Sequence, residues 1–222
     1  MNGLQSVETS YGTELIRKTI HMSSLSIPVV YYFITRETAL AILIPLTILF
    51  GLSDLGRLYV PSFGDLYHRF FGFLLRRHER NAGHRRLNGA TYVLLSATIC
   101  VWFFPKVIVL TAFAILIVSD TAAALIGRKF GKHPFHGKSV EGTTAFFITA
   151  LIVVALAPKV LYLPAEYAIG AVAALIGAFV EALSGDIIDD NLSIPVSIAL
   201  VMWAMYALLL PTLNIFALEG AG

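Results

Sequence analysis

Charge is scarce in this chain, and cysteine almost absent. Only 14% of its 222 residues are Asp, Glu, Lys or Arg, against 57% hydrophobic, and the mean hydropathy is strongly positive. A water-soluble domain of this length has too little interior for so much apolar side chain, so lipid must act as part of the solvent. The lone cysteine, Cys100, excludes a disulfide framework and a thiolate metal site; within its apolar run it reads as a small packing residue. A net charge of +2 is too small to call for nucleic acid. The first twenty residues lack the apolar stretch and small-residue cleavage site of a signal peptide, so insertion is expected to rely on the first spanning helix.

Long apolar runs, by contrast, are plentiful. A membrane span needs about 20 mostly apolar residues. Seven segments approach this, at about 22–35, 38–56, 88–104, 106–127, 140–157, 166–184 and 192–210. Pro28 is expected to kink the first, or to mark where it continues from a helix beginning near Glu14. Pro105, Pro158, Pro164 and Pro211 fall at segment ends, as helix punctuation does. The expected fold is therefore all-α, one integral-membrane domain over residues 1–222 with about seven spanning helices. With the N-terminus inside, 13 of the 16 Lys and Arg residues fall in inner segments, leaving only Arg36, Lys106 and Lys159 outside. That bias predicts a cytoplasmic N-terminus and an external C-terminus.

Between the second and third spans, Phe63, Leu66, Tyr67, Phe70, Phe71, Leu74 and Leu75 recur at helical spacing. Asp65, His68, Arg69, Arg76 and Arg77 take the other side. This predicts an interfacial amphipathic helix near 62–77 with its arginines at the lipid headgroups. Ala124–Gly127 recurs as Ala174–Gly177, but small residues are common in membrane helices for packing reasons and the echo reads as chance rather than as an internal repeat.

The reactive side chains gather on one side. Asp54, Asp120 and Glu181 lie near the inner ends of their spans, where a carboxylate is costly unless paired or wet. Asp186, Asp189 and Asp190 follow Glu181, and all six histidines map to the same side. The outer loops hold almost nothing reactive. The densest stretch, Ser119 to Gly142, reads SDTAAALIGRKFGKHPFHGKSVEG. Gly127, Gly131 and Gly137 alternate with Arg128, Lys129, Lys132 and Lys138, a mixture of exposed backbone N–H groups and positive charge that suits a polyphosphate. Gly142 opens the next helix, whose N-terminus would point its dipole at an anion. A basic loop that only fixes topology would carry the same charges.

Two familiar motifs fail on inspection. Gly137-Lys138-Ser139 looks like the end of a P-loop, but five residues rather than four separate Gly131 from Gly137, and no strand precedes them. His133-x-x-His136 has neither cysteines nor an HExxH partner set for zinc, so His136 reads as a nucleotide contact or a loop residue. Elsewhere alternatives stay open. Glu14, Arg17, Lys18 and His21 share one side of a helix, as a site or as topogenic charge; Asn88 opens a span and reads as a cap; Asp190 and Asn191, with Asp189, would bind Mg²⁺ or cap the last span.

Asp120-x-x-Ala123-x-x-x-Gly127 followed by Gly137-Lys138-Ser139-x-Glu141-Gly142 resembles the signature of the CTP-dependent lipid-alcohol kinases, which include dolichol kinase, phytol kinase and CTP-dependent diacylglycerol kinase. Glu14-x-x-Arg17-Lys18-x-x-His21 and Glu181 with Asp190-Asn191-x-x-x-Pro195 also resemble that group, and the likeness runs from residue 14 to about 200. Gly137 stands where many members carry a lysine. The resemblance implies transfer of a CTP γ-phosphate to a membrane lipid alcohol at the cytoplasmic face of a prokaryotic inner membrane. It implies catalytic roles for Asp120, Lys138 and Glu141, and nucleotide contacts from Arg17, Lys18, His21, Asn88, Gly127, Arg128, Gly131, Lys132, Gly137, Ser139 and Gly142. It also implies a Mg²⁺ held by Asp120, Glu181, Asp190 and Asn191. A membrane cytidylyltransferase that releases pyrophosphate, and a small transporter, are the competing readings.

Overall fold

The structure, a computed structural model, describes residues 11–71, 87–184 and 189–219. Its elements are α1 (Tyr11–Ser23), α2 (Ser26–Phe33), α3 (Arg36–Tyr59), α4 (Pro61–Phe71), α5 (Gly89–Phe103) and α6 (Lys106–Phe130). There follow β1 (Pro134–Phe135), β2 (Lys138–Ser139), α7 (Val140–Leu156), α8 (Pro164–Leu183) and α9 (Asp190–Leu209). Among the described residues, α3, α6, α8 and α9 are long and apolar enough to cross a membrane, while α5 and α7 are apolar but shorter. These are the elements of an integral membrane protein.

The segment expected as a first span is broken. α1 ends in a turn at Ser24 and Leu25, and α2 has only eight residues. Pro28 is the cause: it has no N–H to give to Ser24, so the chain restarts with the proline in a first turn, where no donor is needed. α4 supplies the first part of the expected interfacial helix, and residues 72–77 of that prediction lie outside the described residues.

Helix α6 is the axis of the bundle. It packs against α1, α2, α5, α7, α8 and α9, and 72% of its apolar window is buried, against 17% for α3. Its Ile108, Phe113, Ile115, Leu116 and Ile117 meet Phe146 of α7, Ile169 of α8 and Ile198 and Met202 of α9 in one core. α3 packs on α4 and α5 and turns Ile48, Leu49, Leu52 and Leu55 outward, toward lipid. Helices gain little from hiding apolar faces in a solvent that is itself apolar, so close backbone approach has to hold the bundle. Small residues permit it. A Cβ on Gly142 would lie 3.0 Å from the Ala123 carbonyl oxygen and 3.3 Å from Gly127 Cα; a Cβ on Gly177 would lie 2.8 Å from Ile198 Cδ1.

Polar contacts identify the two ends of the bundle. Asp54 near the end of α3 bonds to Asn88 at the start of α5; Lys18 of α1 meets Asp120 of α6; and Lys138 beside α7 meets Glu181 at the end of α8. A Cβ on Gly89 would sit 3.2 Å from Asn191 Nδ2, which brings the start of α9 to the same end.

The opposite end is more polar than the sequence suggests. Lys106 is buried and donates to the Ile34 carbonyl at 2.8 Å, while Lys159 donates to Val154 and Ala157 carbonyls at 2.6 and 2.7 Å. Glu166 is fully buried and accepts from the N–H groups of Val160, Leu161 and Leu163 and from the Tyr206 hydroxyl. Arg36 and the Lys106 N–H both bond to Glu219. These groups satisfy helix ends rather than present chemistry, and Glu166 two residues after Pro164 is a sequence mark of such a helix start.

The crossing of α6 and α7 at Gly142 is testable. Gly142→Leu must push backbone against backbone and is expected to lose about 1–3 kcal/mol, read as a lower melting temperature in detergent. Gly51→Leu, where a Cβ meets nothing within 4 Å, should leave the melting temperature unchanged or raised.

Candidate active site

The stretch between α6 and α7 folds as a β-hairpin. Pro134 pairs with Ser139 and Phe135 with Lys138, around a two-residue turn in which His136 (φ 45°) and Gly137 (φ 83°) both take left-handed backbone. Two positive φ values in a two-residue loop match the right-handed twist of the flanking strands, and glycine takes the second at no steric cost. Gly137 therefore shapes a tip with open space around it. Immediately after the tip, Lys138 is directed back to the bundle.

The base of this hairpin is tied down on both sides. Ser139 caps α7, its hydroxyl accepting from the Gly142 N–H at 3.1 Å, and lies where a Cβ on Gly127 or Gly131 would clash. Glu141 accepts from the His133 N–H at 3.4 Å and meets His133 Nδ1 at 2.7 Å. Gly127, Gly131, Ser139 and Gly142 thus form the close crossing that carries the hairpin, and Glu141 anchors its first residue. Arg128, Lys129 and Lys132 are exposed around it.

Below the hairpin lie two ion pairs. Lys18 Nζ is 2.5 Å from Asp120 Oδ2, both side chains 6% exposed, and His21 Nε2 is 3.6 Å from the same oxygen. Their spacing, three residues apart on α1, puts Lys18 and His21 on one face, and Arg17 precedes them on the same helix. Lys138 Nζ is 2.6 Å from Glu181 Oε1. Glu181 Oε2 is buried and has no hydrogen-bond partner among the described residues. Asp190 begins α9 after Asp189, whose carboxylate accepts from the Asn191 N–H at 3.0 Å and from its amide Nδ2 at 2.8 Å. Among the described residues, no group of three or more His, Cys, Asp or Glu side chains is already arranged around a metal position.

Asn88 belongs to a different cluster. It caps α5, with the Thr91 N–H donating to Asn88 Oδ1 at 3.0 Å, and it gives its own N–H and Nδ2 to Asp54. Asp54 is fully buried and also takes the Thr91 hydroxyl at 2.7 Å and Arg57 Nη2 at 3.1 Å; Asn88 Nδ2 reaches the Tyr67 hydroxyl at 3.0 Å. This knot ties α3, α4 and α5 together and sets Gly89 against Asn191. The sequence shows Asp54 as a costly acid but not its partners, which are 34 and 37 residues away. Arg57, three residues on, is the one local signal.

An uncharacterised protein of Rickettsia prowazekii is 32% identical to this chain over 185 residues, 83% of this chain and 90% of its own length. A CTP-dependent diacylglycerol kinase of Schizosaccharomyces pombe is 29% identical over 164 residues, covering 68% of this chain and 73% of the yeast protein. The enzyme of the same name from Saccharomyces cerevisiae is 34% identical over 145 residues, 63% of this chain and 48% of its own. Over roughly two thirds of its length the chain is thus similar to CTP-dependent lipid kinases. Those relatives are lipid kinases, an activity that fits the apolar helices around the site. No protein-family model and no solved structure matches it.

Removing Asp54 breaks a buried ion pair and takes the acceptor from several buried donors. Asp54→Ala is expected to cost about 3–5 kcal/mol, because Arg57 loses its ion pair with Asp54 while the Asn88 N–H and amide and the Thr91 hydroxyl lose their acceptor out of water. A thermal melt in detergent checks this, and the double variant Asp54→Ala/Arg57→Met should recover part of the loss.

Proposed function

We propose that this protein transfers the γ-phosphate of CTP to the hydroxyl of a membrane lipid alcohol at the cytoplasmic face of a prokaryotic inner membrane. The observation that carries the reading is the pair of lysine–carboxylate bridges, Lys18–Asp120 and Lys138–Glu181, set under a basic glycine hairpin at one end of the bundle. The positive-inside bias of the loops supports placing that end in the cytoplasm. Diacylglycerol is the alcohol named for the two fungal relatives; a polyprenol or phytol offers the same hydroxyl on an apolar body.

Phosphoryl transfer is mostly positioning and charge neutralisation. Lys138, at the foot of the hairpin, is placed to hold phosphate oxygens as a compact point charge, with Lys18 and His21 on the opposite side. Arg17, Arg128 and Lys132 add positive charge toward the water. The alcohol oxygen attacks the γ-phosphorus, the bond to the β–γ bridging oxygen breaks, and CDP leaves. The hydroxyl proton passes to a carboxylate of the site, Asp120 or Glu181. The lipid tail stays between helices while its hydroxyl rises to the end of the bundle. Asp120 and Glu181, with Asp190 and Asn191 at the start of α9, offer the hard oxygens that Mg²⁺ takes, and Glu181 Oε2 is a buried acceptor without a donor among the described residues. Bound there, the ion would neutralise phosphate charge.

The test is direct: purified protein, labelled CTP or ATP, and a panel of lipid alcohols. CDP with a phosphorylated lipid is expected; pyrophosphate with a CDP-lipid would identify a cytidylyltransferase instead. Asp120→Asn should abolish turnover, by about 10³-fold or more, in a protein that still melts cooperatively. Lys138→Ala should raise the KM for CTP more than that for the lipid, and a selective rise in the lipid KM would remove Lys138 from the phosphate site.

A further inference from the structure

Both lysines proposed to hold phosphate are already engaged. Lys18 sits 2.5 Å from Asp120 and Lys138 2.6 Å from Glu181, and three of the four side chains are at most 6% exposed. The site's inner shell therefore holds two positive and two negative charges and has no surplus to offer a bare triphosphate. Neither lysine can turn to a phosphate without leaving a buried carboxylate uncompensated, beside the added negative charge of the ligand. A divalent cation removes that obstacle, since the carboxylates that lose their lysines gain the ion.

We propose that Lys18 and Lys138 are placeholders: each neutralises a carboxylate in the ligand-free protein and passes to the triphosphate only as a divalent cation replaces it. Nucleotide and metal then bind cooperatively, through the exchange of partners between four side chains. The inference rests on the kinase reading of the same site. Two features beyond the distances support it. Among the described residues Glu181 Oε2 is buried and without a donor even while Oε1 holds Lys138, so half of this carboxylate stands ready for a second cation. Lys138 is the more accessible lysine, 28% exposed on the hairpin, so it can swing to a ligand without the bundle opening. His21, 3.6 Å from Asp120 Oδ2, stays beside that carboxylate when Lys18 leaves. The exposed Arg128, Lys129 and Lys132 contribute attraction but are not part of the exchange.

CTP binding to the full-length protein in lipid nanodiscs, without an acceptor alcohol, is measured by calorimetry in EDTA and in Mg²⁺. Wild type is expected to bind CTP at least about 10-fold more tightly with Mg²⁺. Glu181→Gln and Asp120→Asn release a lysine, so each should bind metal-free CTP at least about 5-fold more tightly than wild type and lose most of the Mg²⁺ effect. Carboxamide variants that bind metal-free CTP no better than wild type overturn the exchange. A second measurement covers variants that fail to fold: Mn²⁺ binding without nucleotide, followed by electron paramagnetic resonance. Lys138→Met vacates Glu181 and should tighten Mn²⁺ at least about 5-fold over wild type, whereas unchanged or weaker binding overturns the proposal. CTP that binds with no metal coupling sinks the exchange alone. CTP that binds under no condition sinks the kinase reading and the exchange with it.

Discussion

A charge that cannot reach water must be neutralised where it stands, and most of this structure follows from how that requirement is met. The chain places Lys18, Asp54, Arg57, Lys106, Asp120, Lys159, Glu166 and Glu181 out of solvent, within or at the ends of apolar helices. Each is answered by an opposite charge or by backbone groups at a helix end. Where the partners come from different helices, the pairing rule also assembles the bundle. Asp54 fixes α5 to α3, Asp120 fixes α1 to α6, and Glu181 fixes the hairpin to α8. In a lipid solvent, where apolar burial contributes little between helices, such directional contacts and close glycine crossings specify which helices are neighbours.

The same residues that resemble a kinase signature serve two purposes. Asp120, Lys138 and Glu181 form the ion pairs of the proposed site. Ala123, Gly127, Gly142 and Ser139 make the crossing on which the hairpin stands, and Glu141 holds the hairpin's first residue through His133. The motif is as much a description of how α6 meets α7 as of what touches a nucleotide. Its spacing has a physical reason: Ala123 and Gly127 are four apart on one helix face, and Gly142 fits between them.

Much of this was legible in the sequence. Apolar runs located the helices from α3 onward within a few residues, since their length and punctuation are local properties. The gathering of Asp54, Asp120, Glu181 and His21 at one end was visible as well, since each falls near the same end of its apolar run; His78, His84 and Asp186 of that expectation lie outside the described residues. What the sequence did not reveal was pairing. Glu166, at the start of a predicted span, gave no sign of being caged by three backbone N–H groups; Lys106 and Lys159 looked like external charges and are buried against carbonyls. Asn88 looked like a cap and a nucleotide contact, and the structure makes it the cap that joins α5 to Asp54. The hairpin at 134–139 was hidden because its strands are two residues long, too short for any periodicity.

The two ends of the bundle are fastened with different materials. At the end carrying Lys159 and Glu166, most bonds run between a side chain and main-chain groups. At the end carrying Asp120 and Glu181, the fastenings are ionic links between side chains, which dissolved ions can replace. The compliance of the bundle is therefore graded along its length, stiff at one rim and exchangeable at the other. On the proposed exchange, a lipid alcohol would be admitted at the rim where the charges can be re-matched.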